Sequence, residues 1–209
     1  IRHTQEEGSR ASISLRQTSV LVNAYKARKA FSVYGEGYSV AVIDTGMRTT
    51  HNDFKGRIIA QHNFTSENGG DPEDVTDDHG HGTHVAGIVA AKNPRRYMGI
   101  APKANVIPLK ALPSNGGGSF DDIELALQWV LDNHVKYQIT VVCMSLGDDE
   151  NYKNDTSFRS DTLFRKIKAL KAKKVAVVVA AGNGFDVHDS EQGMSYPAIL
   201  HNTISVGAV

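Results

Sequence analysis

An open, mostly parallel α/β sheet with helices on both faces is the fold class that the sequence predicts. Three observations carry that expectation. Six short runs rich in β-branched residues are almost continuously apolar, as strands buried on both faces are. Longer amphipathic stretches with helical spacing lie between them. Strand-like and helix-like segments alternate along the chain, the order that doubly wound sheets require. The 209 residues are enough for one ordinary domain, and no internal repeat or second domain is visible.

Taken in order, residues 1–20 are polar without a sustained period and read as an N-terminal extension, leaving 21–209 for the domain. Val20 to Phe31 places Ala24, Ala27, Ala30 and Phe31 on one side of a helix. The strand runs are Tyr38–Ile43, Ile58–Ala60, Ala104–Leu109, Thr140–Met144, Val175–Ala181 and Thr203–Val209. Helices are expected over His84–Ala91, Phe120–Asn133 and Ser160–Lys173. The second has Asp121, Asp122 and Glu124 in its first turn, and the third gathers lysines towards its C-terminal end, both favourable to the helix dipole. Loops rich in Gly, Asn and Asp separate these segments at 65–80, 113–119, 147–158 and 182–194.

Composition narrows the function classes. Lys and Arg number 23, as do Asp and Glu, so the balanced charge gives no reason to expect nucleic acid or an anionic membrane as partner. The longest apolar runs are far shorter than a bilayer span, and no secretory leader pattern opens the sequence. Cys143 is the only cysteine, which excludes an intrachain disulfide and leaves the redox compartment open.

In doubly wound sheets, reactive groups collect at the carboxyl ends of strands. After Ser39-Val40-Ala41-Val42-Ile43 come Asp44, Thr45 and Gly46, a carboxylate followed by a sharp turn. Asp77-Asp78-His79-Gly80-His81-Gly82-Thr83-His84 then runs into a small apolar helix. A cationic imidazole is disfavoured at a helix N-terminus, so a histidine there points to a neutral base with a carboxylate behind it. Solvent-facing histidines in a polar cap explain the same residues in isolation. Val178 to Gly184 ends a buried strand in small residues and one amide, Asn183, able to donate to an oxyanion; an Asn-Gly turn is the plainer reading of that pair. Val141 to Gly147 is another strand ending in small groups. Independent turns would rarely coincide in this way.

Together these segments resemble the subtilase family of serine peptidases. Val40 to Gly46 resembles its aspartate motif, His81-Gly82-Thr83-His84-Val85-Ala86-Gly87 its histidine motif, and Ala180-Ala181-Gly182-Asn183 its oxyanion-hole motif. Gly99 to Ala104, Met144 to Gly147, Ser195 to Ala198 and Ile204 to Val209 also match, so the likeness runs from about Val22 to the last residue. It implies a subtilisin-like fold, incomplete at its C-terminal end. It also implies a serine endopeptidase in which Asp44 orients the imidazole, His81 is the general base and Asn183 donates to the oxyanion. Polypeptide substrate would add as a strand between Gly116-Gly117-Gly118 and Ser145-Leu146-Gly147. Ser145 to Gly147 and Ala180-Ala181-Gly182 would wall the pocket before the scissile bond. The family favours a secreted or extracellular location.

The resemblance lacks one part: no Gly-Thr-Ser-Met-Ala-like motif follows Asn183, and Ser119, Ser145, Ser190, Ser195 and Ser205 do not have its context. The expectation is that the nucleophile comes from a C-terminal segment or a companion fragment, that this chain alone is inactive, and that apolar surface awaits that segment. No cofactor or metal is required for the chemistry. Structural calcium occurs in relatives, and Asp53 stands at a ligand position, but the basic loop Lys92 to Met98 with Arg95 and Arg96 argues against a divalent cation beside it. The competing readings are a peptide-binding pseudoprotease and a metal-dependent hydrolase using His79, His81 and His84 with Asp44, Asp77 and Asp78. Asp186, Asp189 and Glu191 either favour basic substrate side chains or form a solvated loop.

Overall fold

A computed structural model describes residues 2–3, 15–93 and 97–207. Its elements begin with β1 (Arg2–His3), α1 (Leu15–Leu21), α2 (Ala24–Phe31), β2 (Ser39–Asp44) and β3 (His62–Asn63). They continue with α3 (His81–Ala90), the hairpin strands β4 (Lys92–Asn93) and β5 (Tyr97–Met98), β6 (Asn105–Lys110) and α4 (Phe120–Asn133). The last group is β7 (Ile139–Met144), β8 (Leu146–Gly147), α5 (Thr162–Ala172), β9 (Ala176–Ala180) and β10 (Ile204–Val206). The main sheet has six strands in the order β10-β9-β7-β2-β6-β3, and every pairing in it is parallel.

Alternation along β2 shows how the apolar runs build two cores. Ala41 and Ile43 point to the side that packs Ile107, Leu109, Ile123, Leu127, Val130, Ile167 and Leu170, the face of α4 and α5. Val40 and Val42 point the other way, to Val85, Ala86 and Ala90 of α3 with Val106, Met47 and Phe54. A strand sandwiched between helices has no wet face and therefore no polar alternation. Each fully buried Leu or Ile contributes roughly 1.5–3 kcal/mol to this packing. The α4 start follows from Ser119, whose hydroxyl accepts from the Asp121 N–H, with Asp121 and Asp122 in the first turn as the dipole favours.

Four boundaries differ from expectation. Val20 to Phe31 is not one helix: α1 and α2 break at Asn23, which takes the left-handed conformation at φ 57°, a backbone state that asparagine tolerates. Ile58 to Ala60 gives only a parallel bridge from Ile58 to Val106, and the strand proper follows at His62–Asn63. The helix placed at His84 starts at His81, because the Thr45 hydroxyl and the Asp77 carboxylate satisfy its first N–H groups. Residues 1–20 contain both β1 and most of α1, and β1 pairs antiparallel with β8, Arg2 opposite Gly147 and His3 opposite Leu146. Pro94, Arg95 and Arg96 of the basic loop, and Ala208 and Val209 of the last run, lie outside the described residues.

One buried carboxylate ties the lower loops together. Asp155 is almost fully buried and receives the His201 ring Nδ1 and backbone N–H along with the Arg159 guanidinium. The His201 hydrogen bond first, against the opposing effect of burial, then the His201 amide and Arg159, hold its carboxyl down to about 2. A depressed carboxyl stabilises the fold above its unfolded pKa near 3.9 and loses that contribution as pH falls towards the folded value. Asp155→Asn should therefore lower the unfolding free energy at pH 7, with the gap to wild type closing between about pH 4 and pH 2; equilibrium denaturation across that range measures it.

Candidate active site

The site forms where β2 ends. In a parallel sheet all carboxyl ends lie on one edge, and register puts Ile43 beside Met144 and Met144 beside Val179. Asp44, Ser145 and Ala180 consequently reach the same rim. The Asp44 side chain is 1% exposed. Its Oδ1 accepts from the Thr45 N–H at 2.7 Å and meets His81 Nδ1 at 2.7 Å. With Nδ1–H donating to the carboxylate, the basic lone pair of the ring sits on Nε2.

His81 is the first residue of α3 and is itself 7% exposed. Burial works to lower its pKa, but the hydrogen bond and charge of Asp44, with the charge of Asp77 behind them, raise it above the usual imidazole value. Bringing α3 this close needs a residue without a side chain at position 82. A Cβ on Gly82 would lie 2.2 Å from the Gly46 carbonyl oxygen and 3.2 Å from Asp44 Oδ1. The first helical amides are satisfied from outside: Gly82 N–H donates to Thr45 Oγ1 at 3.0 Å, and Thr83 N–H to Asp77 Oδ2 at 2.8 Å.

A buried cation closes the floor. Lys110, at the end of β6 and with no exposed surface, donates to the Thr45 carbonyl at 2.6 Å and pairs with Glu67 at 3.0 Å. The other Glu67 oxygen accepts from Ser114 N–H and Oγ, which anchors the loop carrying Gly116 to Gly118. Cys143 on β7 is pushed up to about 11 by burial and by the charge of Asp44, so its thiol stays protonated.

A model of the subtilase family (Peptidase_S8) matches residues 35–209. The chain belongs to the subtilase family. It is similar to an intracellular serine protease of Paenibacillus polymyxa, 37% identical over 176 residues that make up 84% of this chain and 50% of that protein. The major intracellular serine protease of Bacillus subtilis (strain 168) is 35% identical over 182 residues, 86% of this chain and 53% of the relative. Subtilisin DY of Bacillus licheniformis is 34% identical over 187 residues, 87% of this chain and 61% of the relative. The chain thus spans about half the length of the intracellular proteases it matches.

The subtilase chain's other expected site residues fall into two groups. Ser145 to Gly147 and Ala180 to Gly182 come together on Ser195: a Cβ on Gly147 would lie 2.9 Å from the Ser195 Cβ, and one on Gly182 2.0 Å from its Oγ. Ser195 is buried and its hydroxyl donates to the Glu150 carbonyl, so it seams the two segments. Asn183 follows Gly182 and is exposed on the same rim. Gly116 to Gly118 lie in the irregular loop leading into α4. Asp189 and Asp186 are exposed, and Glu191 pairs with Lys153.

The histidine cluster does not assemble into a metal site. His84 is exposed, the His79 ring stands edge-on to His81 with centroids 6.3 Å apart, and Asp77 is occupied by Thr45, Gly80 and Thr83. Among the described residues no three His, Cys, Asp or Glu side chains group to hold a metal ion. Sequence reasoning missed Lys110 altogether, and it quoted Thr45 and Ser195 within matching segments without giving either side chain a role. The signal for Lys110 was a lysine ending an otherwise apolar run, an arrangement that demands a buried partner.

Removing one partner of a buried ion pair costs about 3–5 kcal/mol. Glu67 is partly reached by solvent, which places Glu67→Gln towards the lower end, at about 3 kcal/mol of lost stability; urea unfolding of the two proteins measures it.

Proposed function

We propose that this chain supplies the aspartate and histidine of a subtilisin-type serine endopeptidase, with the nucleophilic serine contributed by sequence beyond residue 209 or by a companion chain. The observation that carries this reading is the buried 2.7 Å contact between His81 Nδ1 and Asp44 Oδ1 at the carboxyl end of a central parallel strand. In this role His81 Nε2 takes the proton of the attacking hydroxyl and returns it to the leaving amine. Asp44 holds the ring in the tautomer that leaves Nε2 basic and stabilises the imidazolium formed on the way. Asn183 donates to the oxyanion.

Two further features support it. The β8 edge already receives an extended segment in antiparallel register, the mode by which polypeptide substrate would add as a strand. On the α3 side of the sheet, Val85, Ile88, Val89, Cys143, Val178 and Val206 line an apolar groove of about 240 Å³. Ile204 and Val206 of β10 are half exposed there, although strands of a parallel sheet are ordinarily covered on both faces. The occupant proposed for this groove is the C-terminal segment bearing the serine, since the intracellular relatives run to about twice the matched length. The Asp53 carbonyl oxygen is bonded by the Arg57 guanidinium, which speaks against calcium there, since that ion needs several free oxygens.

In the complete protein, His81→Ala should abolish hydrolysis of denatured casein, a loss of about 10⁶ in kcat, a figure that belongs to subtilisin itself. Turnover surviving in that variant would reject the reading. Asn183→Ala should cost on the order of 10²–10³ in kcat, again a magnitude established on subtilisin, measured on a chromogenic peptide. A base must be neutral to act, and the His81 pKa is raised, so activity should fall on the acid side at a pH above the ordinary histidine range. Asp44→Asn removes the group that raises it and should move that limb to lower pH while kcat drops; a pH–rate profile of both proteins tests the direction.

A further inference from the structure

The carboxylate of Asp77 receives four hydrogen bonds, and they come from both signature segments. Oδ1 accepts from Thr45 Oγ1 at 2.8 Å and from Gly80 N–H at 2.8 Å. Oδ2 accepts from Thr83 N–H at 2.8 Å and Thr83 Oγ1 at 2.5 Å. Thr83 Oγ1 in turn accepts from Arg48 N–H at 2.9 Å, so the turn after β2 is gripped twice. Thr45 is fully buried, and each of its polar atoms has a partner. Its N–H donates to Asp44, its hydroxyl donates to Asp77 and accepts from Gly82 N–H, and its carbonyl accepts from Lys110.

We infer that Asp77 is a positioning residue for the Asp44–His81 pair, acting through Thr45 on the strand end and through Gly80 and Thr83 on the first turn of α3. The inference rests on the protease reading above. The carboxyl end of β2 and the helix that carries His81 are separate elements whose distance must hold to a fraction of an ångström for the 2.7 Å contact to persist. Asp77, on the loop between them, bonds both, alongside the direct bond from Gly82 N–H to Thr45 Oγ1. A plain helix cap would need only the Gly80 and Thr83 bonds; the Thr45 bond adds nothing to capping and everything to alignment. The charge also matters, because an anion near an imidazole favours its protonated form. The groups facing His81 are Asp44 on β2, Asp77 and the His79 ring on the preceding loop, with the neutral Cys143 thiol near Asp44 on β7.

The test uses the complete protein with a chromogenic peptide and four variants. Asp77→Asn and Thr45→Val should each lower kcat on the order of ten- to a hundredfold with KM little changed. The double variant should lose no more than the worse single, as residues on one path do. Thr45→Ser keeps the hydroxyl and should restore most of the activity. Asp77→Asn should also move the acid limb of kcat/KM to lower pH, and the His81 imidazole titration followed by ¹⁵N NMR should move the same way. The inference is overturned if Asp77→Asn only lowers the thermal midpoint while kcat and the acid limb stay in place, or if Thr45→Ser is as impaired as Thr45→Val. Should Asp77→Asn not fold, the Thr45 pair decides. If His81→Ala retains activity, the protease reading has failed, and the NMR titration with the Thr45 variants still judges the alignment role by itself.

Discussion

A carboxylate with 1% exposure at the end of a central strand is the constraint from which the rest of this structure follows. An unpaired charge in such a place would cost several kcal/mol, so Asp44 demands donors. Two reach it, the next residue's own amide and the ring of His81. The second comes from an element 37 residues away in sequence, and admitting it dictates much of the local architecture. Position 82 must lack a side chain, α3 must begin at His81, and its opening amides must find partners outside the helix. The small residues of α3 and the tight turn after β2 are consequences of that single requirement.

The electrostatics at this point are unusual for a helix start. A helix N-terminus repels a cation, and burial also disfavours one, yet the His81 pKa is raised rather than lowered. Asp44 and Asp77 together outweigh both effects. They sit on opposite sides of the problem: Asp44 bonds the ring, whereas Asp77 bonds the helical amides that would otherwise oppose the ring's charge. Asp77 therefore removes part of the repulsion at its source. On the other flank Lys110 draws on the Thr45 carbonyl and on Glu67, so its charge is taken up within a step of Thr45.

Much of this fold was legible in the residues because both sheet faces are covered. Uninterrupted apolar runs such as Val40 to Ile43 and Val177 to Val179 read as buried strands, and α4 announced itself through Asp121, Asp122 and Glu124 in its first turn. Legibility failed where local sequence was indifferent. Nothing in Val20 to Phe31 marks the break at Asn23, since asparagine is as much at home inside a loop as between helices. Ile58 to Ala60 has strand character but reaches only one partner residue, and pairing resumes at His62, where a polar residue hides it. Asp44 and His81 stood out as types at strand and helix ends. Thr45 and Ser195 did not, because a small hydroxyl residue acquires its role only from what the fold brings against it.

The two glycine-flanked segments show why such residues escape notice and why they matter. Ser145 to Gly147 and Ala180 to Gly182 belong to neighbouring strands, and parallel pairing alone would leave their loops free to diverge beyond the sheet. Ser195 prevents this, with its Cβ against Gly147, its hydroxyl against Gly182, and a bond to the Glu150 carbonyl. The backbone adds a clamp from the same stretch, Ser195 N–H to the Ala181 carbonyl and Tyr196 N–H to Asp148. The rim beside Asp44 and His81 is thus fixed by three separate chain segments, each held by another. A groove made this way keeps its shape without any element of its own being rigid. That is what lets an edge as short as Leu146–Gly147 accept an extended strand, as it does from Arg2–His3.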